Sequence, residues 1–500
     1  MIQPGGKLRQ VPEYFEQDLN LMLEFSAESL RQAFIRLEND HSVPKGTPGH
    51  GFDGYLDISL NTPELLENST EAQIVLKEVA RQAGQDPEKI FDLVQGDLNN
   101  GSPERDQQTG LWGFPAHRDL QGRRVSSRNP VVDTRDAVDA NGNKKYKLTV
   151  GLESFVTKVL FEEGSTPPKA IGVEYLKGQS MYAADPRYNA TKEGIKTQAF
   201  ARKEVILSGG AFNSPQILKL SGVGPKEELA EFNIPLVLDS PGVGWNLQDN
   251  QEFGMFADAA KAFTSKAPIC TYGAPGDPCL EAWYQGKGPY TTGPLDAIMF
   301  KSSTAKERDV YMWGQSGAYR GYWPMATVNT VPGGTPNEFA LQIVNFGTQS
   351  NLGYVKLQSA NPREVPEINF RFFEGGQGER DLQAMEEAVN YARGIFDKIP
   401  APLGPFEENW PCENNKRECN VKETIREQTW SHHATSTCSI GPDSDPKAVL
   451  DSKFRVRGTK NLRVVDGSAF PRTPGAFPVI ATFMLSEKAT DFILEETWNV

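Results

Sequence analysis

Two adjacent histidines, His432 and His433, are the residues of this chain best suited to proton chemistry. Imidazole titrates at about pH 6.5 and can therefore take a proton from a substrate at neutral pH. Both lie in the segment Trp430–Cys438, which reads WSHHATSTC. A buried histidine with a purely structural role is the alternative explanation for either ring.

No metal site is predicted around these histidines. Adjacent residues of a strand point to opposite faces, so the two rings are expected to diverge. The other histidines are His41, His50 and His117, and their spacing matches no zinc motif. The sequence therefore favours acid–base chemistry over metal chemistry.

A strand, a glycine turn and a helix are predicted in succession after residue 203. Glu204–Leu207 is an apolar strand, and Ser208–Gly210 is a turn that lets backbone approach a ligand closely. Ser214 and Pro215 are predicted to cap and to open the helix. A helix N-terminus at the carboxyl end of a strand suits a polar or anionic cofactor group, although a structural corner gives the same pattern.

A second corner of this kind lies near the C-terminus. The strand Leu462–Val465 ends at Asp466 and Gly467, and a helix is predicted from about residue 481. An aspartate at a strand end can bind the hydroxyls of a ribityl chain, or it can cap the next element.

The predicted secondary structure around these corners changes from helical to α/β along the chain. Residues 1–45 are predicted to be helical, and 70–95 to form a helix pair. The predicted strands and the later helix are Leu148–Val150, Phe155–Leu160, Ala170–Tyr175, Ala199–Leu207, Tyr354–Gln358, Ile368–Phe372 and a helix at about 379–397. Because α/β character precedes and follows the aromatic, proline-rich middle, we infer that a second domain is inserted into the first.

The first glycine motif of the chain is not predicted to bind a dinucleotide. Gly49, Gly51 and Gly54 have the spacing G-x-G-x-x-G. However, no apolar strand precedes them, and the residues that follow are predicted to be extended rather than helical. We interpret the motif as part of a loop.

Composition limits the partners of the chain. Its 500 residues fit two or three domains, and its net charge of −13 argues against nucleic acid and anionic membrane surfaces. No apolar run is long enough to span a bilayer. We expect a small-molecule substrate, and composition does not predict an oligomeric state.

The cysteines do not decide whether the protein is secreted or stays inside the cell. Cys270 and Cys279, and Cys412 and Cys419, either close two short loops or pair across. The N-terminus has no apolar signal segment. Three glycosylation sequons, at Asn68, Asn100 and Asn189, make secretion of an intact parent protein an open possibility.

Three segments together resemble the glucose–methanol–choline (GMC) family of flavin alcohol oxidoreductases. Gly210–Gly224 resembles the second signature of the family, Asp239–Asn250 the segment that follows it, and Trp430–Gly441 the catalytic segment. The family usually has histidine where this chain has Asn250. The resemblance implies an alcohol substrate, FAD as cofactor, and transfer of the carbon's hydride to the flavin.

The resemblance also implies roles for individual residues. The histidine five residues before the cysteine, His433, would face the flavin ring as base. The final segment, Pro474–Thr482, lacks the second histidine or asparagine of the family, so His432 stands in or a single base suffices. The implied cofactor-binding residues are Val156, Ser208 and Gly209 near the adenosine or pyrophosphate, and Asp466, Gly467 and Phe477 near the flavin.

The implied fold is α/β plus α+β. It combines an incomplete Rossmann-like FAD-binding domain with an inserted antiparallel-sheet substrate domain. The predicted division is an N-terminal helical and loop region with a partial cap (1–146), the first part of the FAD domain (147–255), the substrate domain (256–440) and the C-terminal part of the FAD domain (441–500).

The opening strand–glycine–helix unit of the family is not found in residues 1–45, and we expect this polypeptide alone to bind FAD weakly. The predicted function is an FAD-dependent alcohol oxidase or dehydrogenase, possibly shortened. The alternatives are a lyase, cyclase or decarboxylase on the same scaffold, or an inactive fragment that binds no FAD.

Overall fold

The computed structural model describes residues 25–263, 270–271, 274–316, 321, 337–412 and 417–498. The expected helical pattern of residues 1–24 lies outside these ranges. In the described ranges the α-helices are α1 (Ala27–Leu37), α2 (Glu64–Glu67), α3 (Thr70–Gln82), α4 (Ile90–Leu93), α5 (Arg128–Asp136), α6 (Gly210–Leu220), α7 (Lys226–Glu231), α8 (Pro278–Tyr284), α9 (Gly378–Phe396), α10 (Val421–Gln428) and α11 (Pro478–Trp498).

The strands are short in the α/β part and longer in the aromatic middle of the chain. They are β1 (Glu38–Asp40), β2 (Leu56–Ile58), β3 (Gly110–Gly113), β4 (Ser154–Phe161), β5 (Ala170–Lys177), β6 (Ile195–Phe200), β7 (Val205–Leu207), β8 (Val223–Gly224), β9 (Leu238–Asp239), β10 (Trp245–Leu247), β11 (Gln251–Asp258), β12 (Asp296–Phe300), β13 (Val310–Ser316), β14 (Glu338–Asn345), β15 (Gly353–Lys356), β16 (Glu367–Asn369), β17 (Glu407–Trp410) and β18 (Leu462–Val464).

The α/β part is built on a parallel strand pair. β7 and β18 pair with Leu462 opposite Val205, although more than 250 residues separate them. Their apolar residues share one core with α1, α6 and α11. The first and the last helix of the described chain therefore pack into the same core. A three-stranded antiparallel sheet, β4–β5–β6, lies beside this pair. The α/β fold with an inserted sheet domain is therefore confirmed.

The inserted part is a six-stranded antiparallel sheet in the order β17-β11-β14-β13-β12-β3. Because side chains alternate across a strand, the sheet buries two different faces. Met312 and Ile298 pack toward the core formed with α3 and α9. Tyr311 and Met299 face the opposite side, where Phe477 joins them.

The sheet crosses two of the predicted domain boundaries. β3 comes from the N-terminal region, and the boundary between residues 255 and 256 falls inside β11. A division placed before β11 would keep that strand whole, although β3 would still join the sheet from the N-terminal region. The assignment of domains stays a prediction, with this boundary moved toward residue 250.

Most predicted elements are present, and three predictions are wrong. The helix expected over residues 1–45 ends at Leu37 in the described part, and β1 follows at Glu38–Asp40. Residues 148–150 form no strand, and Leu148 and Val150 are exposed, so nothing in the described chain pairs with them. The single strand predicted over 199–207 is two strands, β6 and β7. The charged pair Arg202 and Lys203 lies at the break between them, where the chain leaves one sheet for another.

The loop reading of Gly49, Gly51 and Gly54 is confirmed, and it has a packing reason. A Cβ atom at Gly51 would lie 1.9 Å from the Ile35 carbonyl oxygen, and one at Gly54 would lie 2.2 Å from Leu37. These glycines therefore let the loop lie directly on the end of α1.

Two further observations concern the pairing of the cysteines and the possibility of a membrane-spanning helix. The cysteines pair as Cys270–Cys279 and Cys412–Cys419, which decides between the pairings that the sequence left open. Cys438 is a buried free thiol. In the described ranges, none of the helices combines the length and the apolar character that crossing a bilayer requires.

Candidate active site

The histidine segment is held beside the start of β11 by backbone pairing. Bridges join Glu252 to Trp430 and Gln248 to Thr435. Between them, the His433 amide donates to Asp249 Oδ1 at 2.9 Å. The backbone around the two histidines is therefore fixed at three points.

His433 is buried and faces a buried carboxylate. Its Nδ1 lies 2.8 Å from Glu252 Oε1, and the side chains of His433 and Glu252 are 6% and 1% exposed. An ionised carboxylate only accepts hydrogen bonds, so Nδ1 carries the hydrogen and Nε2 is left as the basic nitrogen. This is the tautomer that a general base at Nε2 requires.

His432 turns to the same carboxylate, so the expectation that the two rings diverge is wrong. Its Nδ1 lies 3.3 Å from Glu252 Oε1, and the two imidazole centroids are 4.1 Å apart. The segment is not a regular strand here, and the alternation of strand side chains does not apply to it. The side chain of His432 is 44% exposed, and its partial burial lowers its pKa.

Buried polar atoms with unmet hydrogen-bonding capacity surround His433. Asp249 Oδ2, Asn250 Oδ1 and Glu252 Oε2 have no hydrogen-bond partner within the described part of the chain. Burial raises the pKa of Asp249 to about 7, against the opposing effect of its hydrogen bonds from Ser431 and His433. Such a concentration of unsatisfied polar atoms is typical of functional sites rather than of packed cores.

Asn250, which replaces the usual histidine of the resemblance, ties His433 to the last segment of the site. Its Nδ2 lies 3.4 Å from His433 Nδ1 and donates to the carbonyl oxygens of Gly475, at 3.0 Å, and of Ala476. The final segment has no polar side chain of its own at this point. Asn250, the residue directly before β11, supplies one.

Aromatic rings form the other wall. Phe477 meets His433 edge to face, with ring centroids 4.9 Å apart, and Tyr311 lies 5.6 Å from Phe477. Phe114 and Trp313 extend this wall along the face of the large sheet. Phe477 is thus brought to the predicted site, next to His433.

The two predicted corners meet at one aspartate. Asp466 Oδ2 accepts from the Gly210 amide at 2.9 Å and from Ser214 Oγ at 2.5 Å, and Oδ1 accepts from the amide and hydroxyl of Ser468. Ser214 therefore joins the corners and is not a helix cap. The helix α6 begins four residues earlier than predicted, at Gly210.

The histidine segment packs on this junction. The Ser436 amide donates to the Gly467 carbonyl at 3.1 Å, and the Cβ position of Gly467 lies 3.7 Å from the Ala434 carbonyl oxygen. His433 therefore lies one residue away from contact with the second corner.

Val156, Ser208 and Gly209 are also brought together, in a separate cavity. The three residues line a space of about 460 Å³ beside β7. At its edge, Gly210 has a φ of +80° and open space where a Cβ would point. The cavity matches the cluster that the sequence predicted, and its proposed contacts with a cofactor stay a prediction.

Glu252 and Asp249 were missed by the sequence reasoning. Asp249 and Asn250 lay in a segment already singled out, and Glu252 follows two residues after Asn250. Residues i and i+2 of a strand share a face. That alternation was the available signal that Asn250 and Glu252 face the same neighbour.

Comparison with known families agrees with the resemblance seen in the sequence. Two GMC oxidoreductase models, for the N- and C-terminal parts of the family, match residues 76–252 and 348–486. Mitochondrial choline dehydrogenase of Mus musculus is 32% identical over 359 residues, which are 69% of this chain and 53% of that protein. Oxygen-dependent choline dehydrogenase of Pseudomonas savastanoi pv. phaseolicola (strain 1448A / Race 6) is 30% identical over 431 residues, 82% of this chain and 67% of that protein. The chain thus spans about half the length of the mammalian relative.

Solved structures show the same fold. A formate oxidase superposes with a TM-score of 0.78 at 20% identity, covering 100% of this chain and 82% of that one. A fungal aryl-alcohol oxidase superposes with a TM-score of 0.69 at 20% identity, covering 100% and 84%. With both family models matched in order and a bacterial relative 30% identical across 67% of its own length, this chain belongs to the GMC oxidoreductases, a family that binds FAD.

Proposed function

We propose that this chain is the catalytic part of an FAD-dependent oxidoreductase that acts on the CH–OH group of an alcohol-type donor. The observation that carries the proposal is the buried pair of His433 and Glu252, with Nδ1 and Oε1 2.8 Å apart. The carboxylate fixes the tautomer that presents Nε2 as a base. Two named choline dehydrogenases among the relatives support the same class of donor.

The residues present fit an FAD molecule at two places. Val156, Ser208 and Gly209 line the cavity of about 460 Å³ beside β7, where the backbone of Gly210 is open to a ligand. The second place is the junction of Asp466 and Gly467 with the His433 segment. Because both carboxylate oxygens of Asp466 already accept hydrogen bonds within the chain, its proposed role is to shape this junction. FAD bound there would supply the acceptor for the hydride of the donor.

Each nearby residue has a defined task in this proposal. His433 Nε2 takes the hydroxyl proton of the donor, so negative charge does not accumulate on the oxygen. Glu252 stabilises the imidazolium that forms, as a buried carboxylate beside a catalytic histidine does. Asn250 holds the carbonyls of Gly475 and Ala476 beside the ring, and Phe477 excludes water from one side of it.

The substrate is proposed only as a class. The wall of Phe477, Tyr311 and Trp313 suits an alcohol with an apolar or aryl group. The same rings also pack the core of the large sheet.

The test is reduction of bound flavin by alcohols without oxygen. Rapid anaerobic mixing of the FAD-loaded protein with primary alcohols is expected to bleach the flavin, and His433→Ala is expected to slow bleaching by about two to four orders of magnitude. His117→Ala is the matched control, since His117 is a similarly buried histidine that belongs to a different cluster. Equal bleaching rates in both variants would remove His433 from the role of base.

A non-redox reaction on the same scaffold is the second candidate. The absence of a histidine or asparagine side chain in Pro474–Thr482 favours it, because the usual partner of the base is not supplied from that segment. A lyase, cyclase or decarboxylase would turn over substrate while the flavin stays oxidised. Product formation without bleaching therefore identifies this alternative, and absence of both product and FAD binding identifies an inactive fragment.

A further inference from the structure

A cavity of about 750 Å³ lies at one end of the large sheet. Helices α2 and α3 form one wall, and the ends of strands β12, β13 and β14, with the loop 288–295, form the other. A cavity of this volume accommodates a small organic molecule. Its lining in the described chain includes none of the residues that the proposed function uses.

The cavity lies on the face of the sheet that is turned away from His433. Asp296 and Ile298 share one face of β12, because side chains alternate along a strand. Ile298 packs in the core formed with α3 and α9, whereas Tyr311 and Phe477 meet on the opposite face. The cavity is therefore distinct from the candidate active site.

A buried carboxyl group, that of Asp296, lines this cavity. Asp296 is 4% exposed, its Oδ2 accepts from the Gly314 amide at 3.1 Å, and it forms no ion pair within the described residues. An ionised carboxylate accepts up to about four hydrogen bonds, so this group keeps capacity for a ligand. Burial raises the pKa of Asp296 to about 7, and a cation in the cavity would offset the cost of its charge.

The charge of the remaining lining is also negative. Glu64, at the start of α2, adds a second carboxylate, and the described lining contains no lysine, arginine or histidine. Much of the rest is apolar, and it includes Phe263, Phe339 and Leu76. Negative charge between apolar walls favours a cation with an apolar body and disfavours an anion.

Gly314 marks the point where the carboxyl group and an aromatic ring come together. A Cβ atom at this glycine would lie 2.8 Å from the Phe339 ring and 3.7 Å from Asp296 Oδ2. Phe263 stacks on Phe339, with ring centroids 5.3 Å apart. Carboxylates accept from ammonium N–H groups, and aromatic faces attract the same cations. One ligand could therefore use both interactions here.

We propose that this cavity is a second binding site, which takes a small organic ammonium ion with an apolar body. The ammonium group donates to Asp296, and the apolar body lies against Phe339, Leu76 and Val75. Binding is non-covalent and needs neither FAD nor an alcohol, so this inference does not rest on the proposed function. Because the walls belong to α2, α3 and the sheet, the bound ligand ties these elements together and stabilises the fold.

The test is titration of the full chain with benzylamine in a calorimeter, at about pH 7.5, where the amine is protonated. We expect one saturable site with a dissociation constant of about 1 mM or lower. Asp296→Asn removes the charge and keeps the shape of the side chain, and it should weaken benzylamine binding by at least about tenfold. Toluene keeps the ring and lacks the charge, so it should shift the melting temperatures of the two proteins equally.

Asp309→Asn is the matched control, since Asp309 is 6% exposed between β12 and β13 and does not line the cavity. Ala72→Trp fills the cavity from α3 and should abolish benzylamine binding, whereas Val131→Trp, at an exposed position on α5, should not. Equal affinities in Asp296→Asn and Asp309→Asn would overturn the site, as would unchanged affinity in Ala72→Trp, which decides the question even where Asp296→Asn does not fold. An unaltered protein that benzylamine does not saturate would overturn it as well.

Discussion

Single histidines of this chain differ in charge because their neighbours differ. His117 is buried without a carboxylate partner among the described residues, and burial lowers its pKa to about 3. His50 is also buried, but its bonds to Asp40, Asp97 and Glu38 outweigh burial and raise its pKa to about 11. The ligating atoms of Glu38, Asp40 and His50 lie within 4.8 Å of one another, a cluster that spacing along the chain did not reveal. His433 differs from both, because it shares its carboxylate, Glu252, with a second imidazole ring.

At this scale we predict the effect of neutralising Glu252. Glu252→Gln keeps an acceptor oxygen for Nδ1 but removes the charge that stabilises the imidazolium. Anaerobic flavin reduction by an alcohol is expected to slow by about 10- to 100-fold. Glu78→Gln, at a glutamate of similar burial on α3, is expected to leave the rate unchanged. A normal rate in Glu252→Gln would contradict the role of the carboxylate.

Two strand–helix corners are joined across the chain by Asp466. One side chain accepts from the Gly210 amide, Ser214 Oγ, and the amide and hydroxyl of Ser468. All of these donors are buried or partly buried, and the Asp466 carboxylate is the acceptor that provides each of them with a hydrogen bond.

Removing this junction should destabilise the α/β part. Asp466→Ala leaves its donors unpaired, and the free energy of unfolding is expected to fall by about 2–4 kcal/mol. Urea denaturation followed by circular dichroism measures the change. Asp443→Ala is the control, because the Asp443 side chain is 91% exposed and should have almost no effect. A loss as small as that of the control would show that the corners hold without Asp466.

The large sheet buries the carboxyl group of Asp296, which forms no ion pair within the described residues. Asp296 accepts from the Gly314 amide at 3.1 Å, and burial raises its pKa to about 7. Because the folded protein binds this proton more tightly than the unfolded chain does, stability falls as pH rises from about 4 to about 7.

Asp296→Asn is expected to remove that part of the pH dependence. The stability of the variant relative to the unaltered protein should improve by about 2–4 kcal/mol between pH 4 and pH 8. Thermal or urea unfolding at both pH values measures the difference. The same relative stability at the two pH values would mean that Asp296 is ionised in the fold.

At the scale of the whole molecule, ligand binding should couple to stability. FAD at about 100 times its dissociation constant stabilises a folded protein by about 2.7 kcal/mol, so a raised melting temperature is expected. Val156→Trp fills the cavity beside β7 and should abolish the rise, whereas Val131→Trp, at an exposed position on α5, should not. A melting temperature that FAD leaves unchanged in the unaltered protein would support the inactive fragment.

Local patterns predicted the local elements well. Helix α9 and strands β4 and β5 were expected close to their observed bounds, because apolar periodicity reports directly which face is buried. Residues 148–150 were predicted as a strand on the same apolar signal, but a strand also needs a neighbour to pair with. The start of α6 was placed at Ser214 because serine is a good cap, whereas its hydroxyl is used by Asp466 from 252 residues away.

The sequence by itself determined the family, and it predicted the candidate base and the two corners that should meet near it, since each is written in a short contiguous motif. Only the tertiary structure decided that one carboxylate, Glu252, faces both His432 and His433, and that the four loop cysteines pair within their own loops. For the shared carboxylate, the physical reason is distance along the chain. Contacts between groups about 180 residues apart depend on how the sheet and the corners pack, and no local pattern of residues encodes that packing.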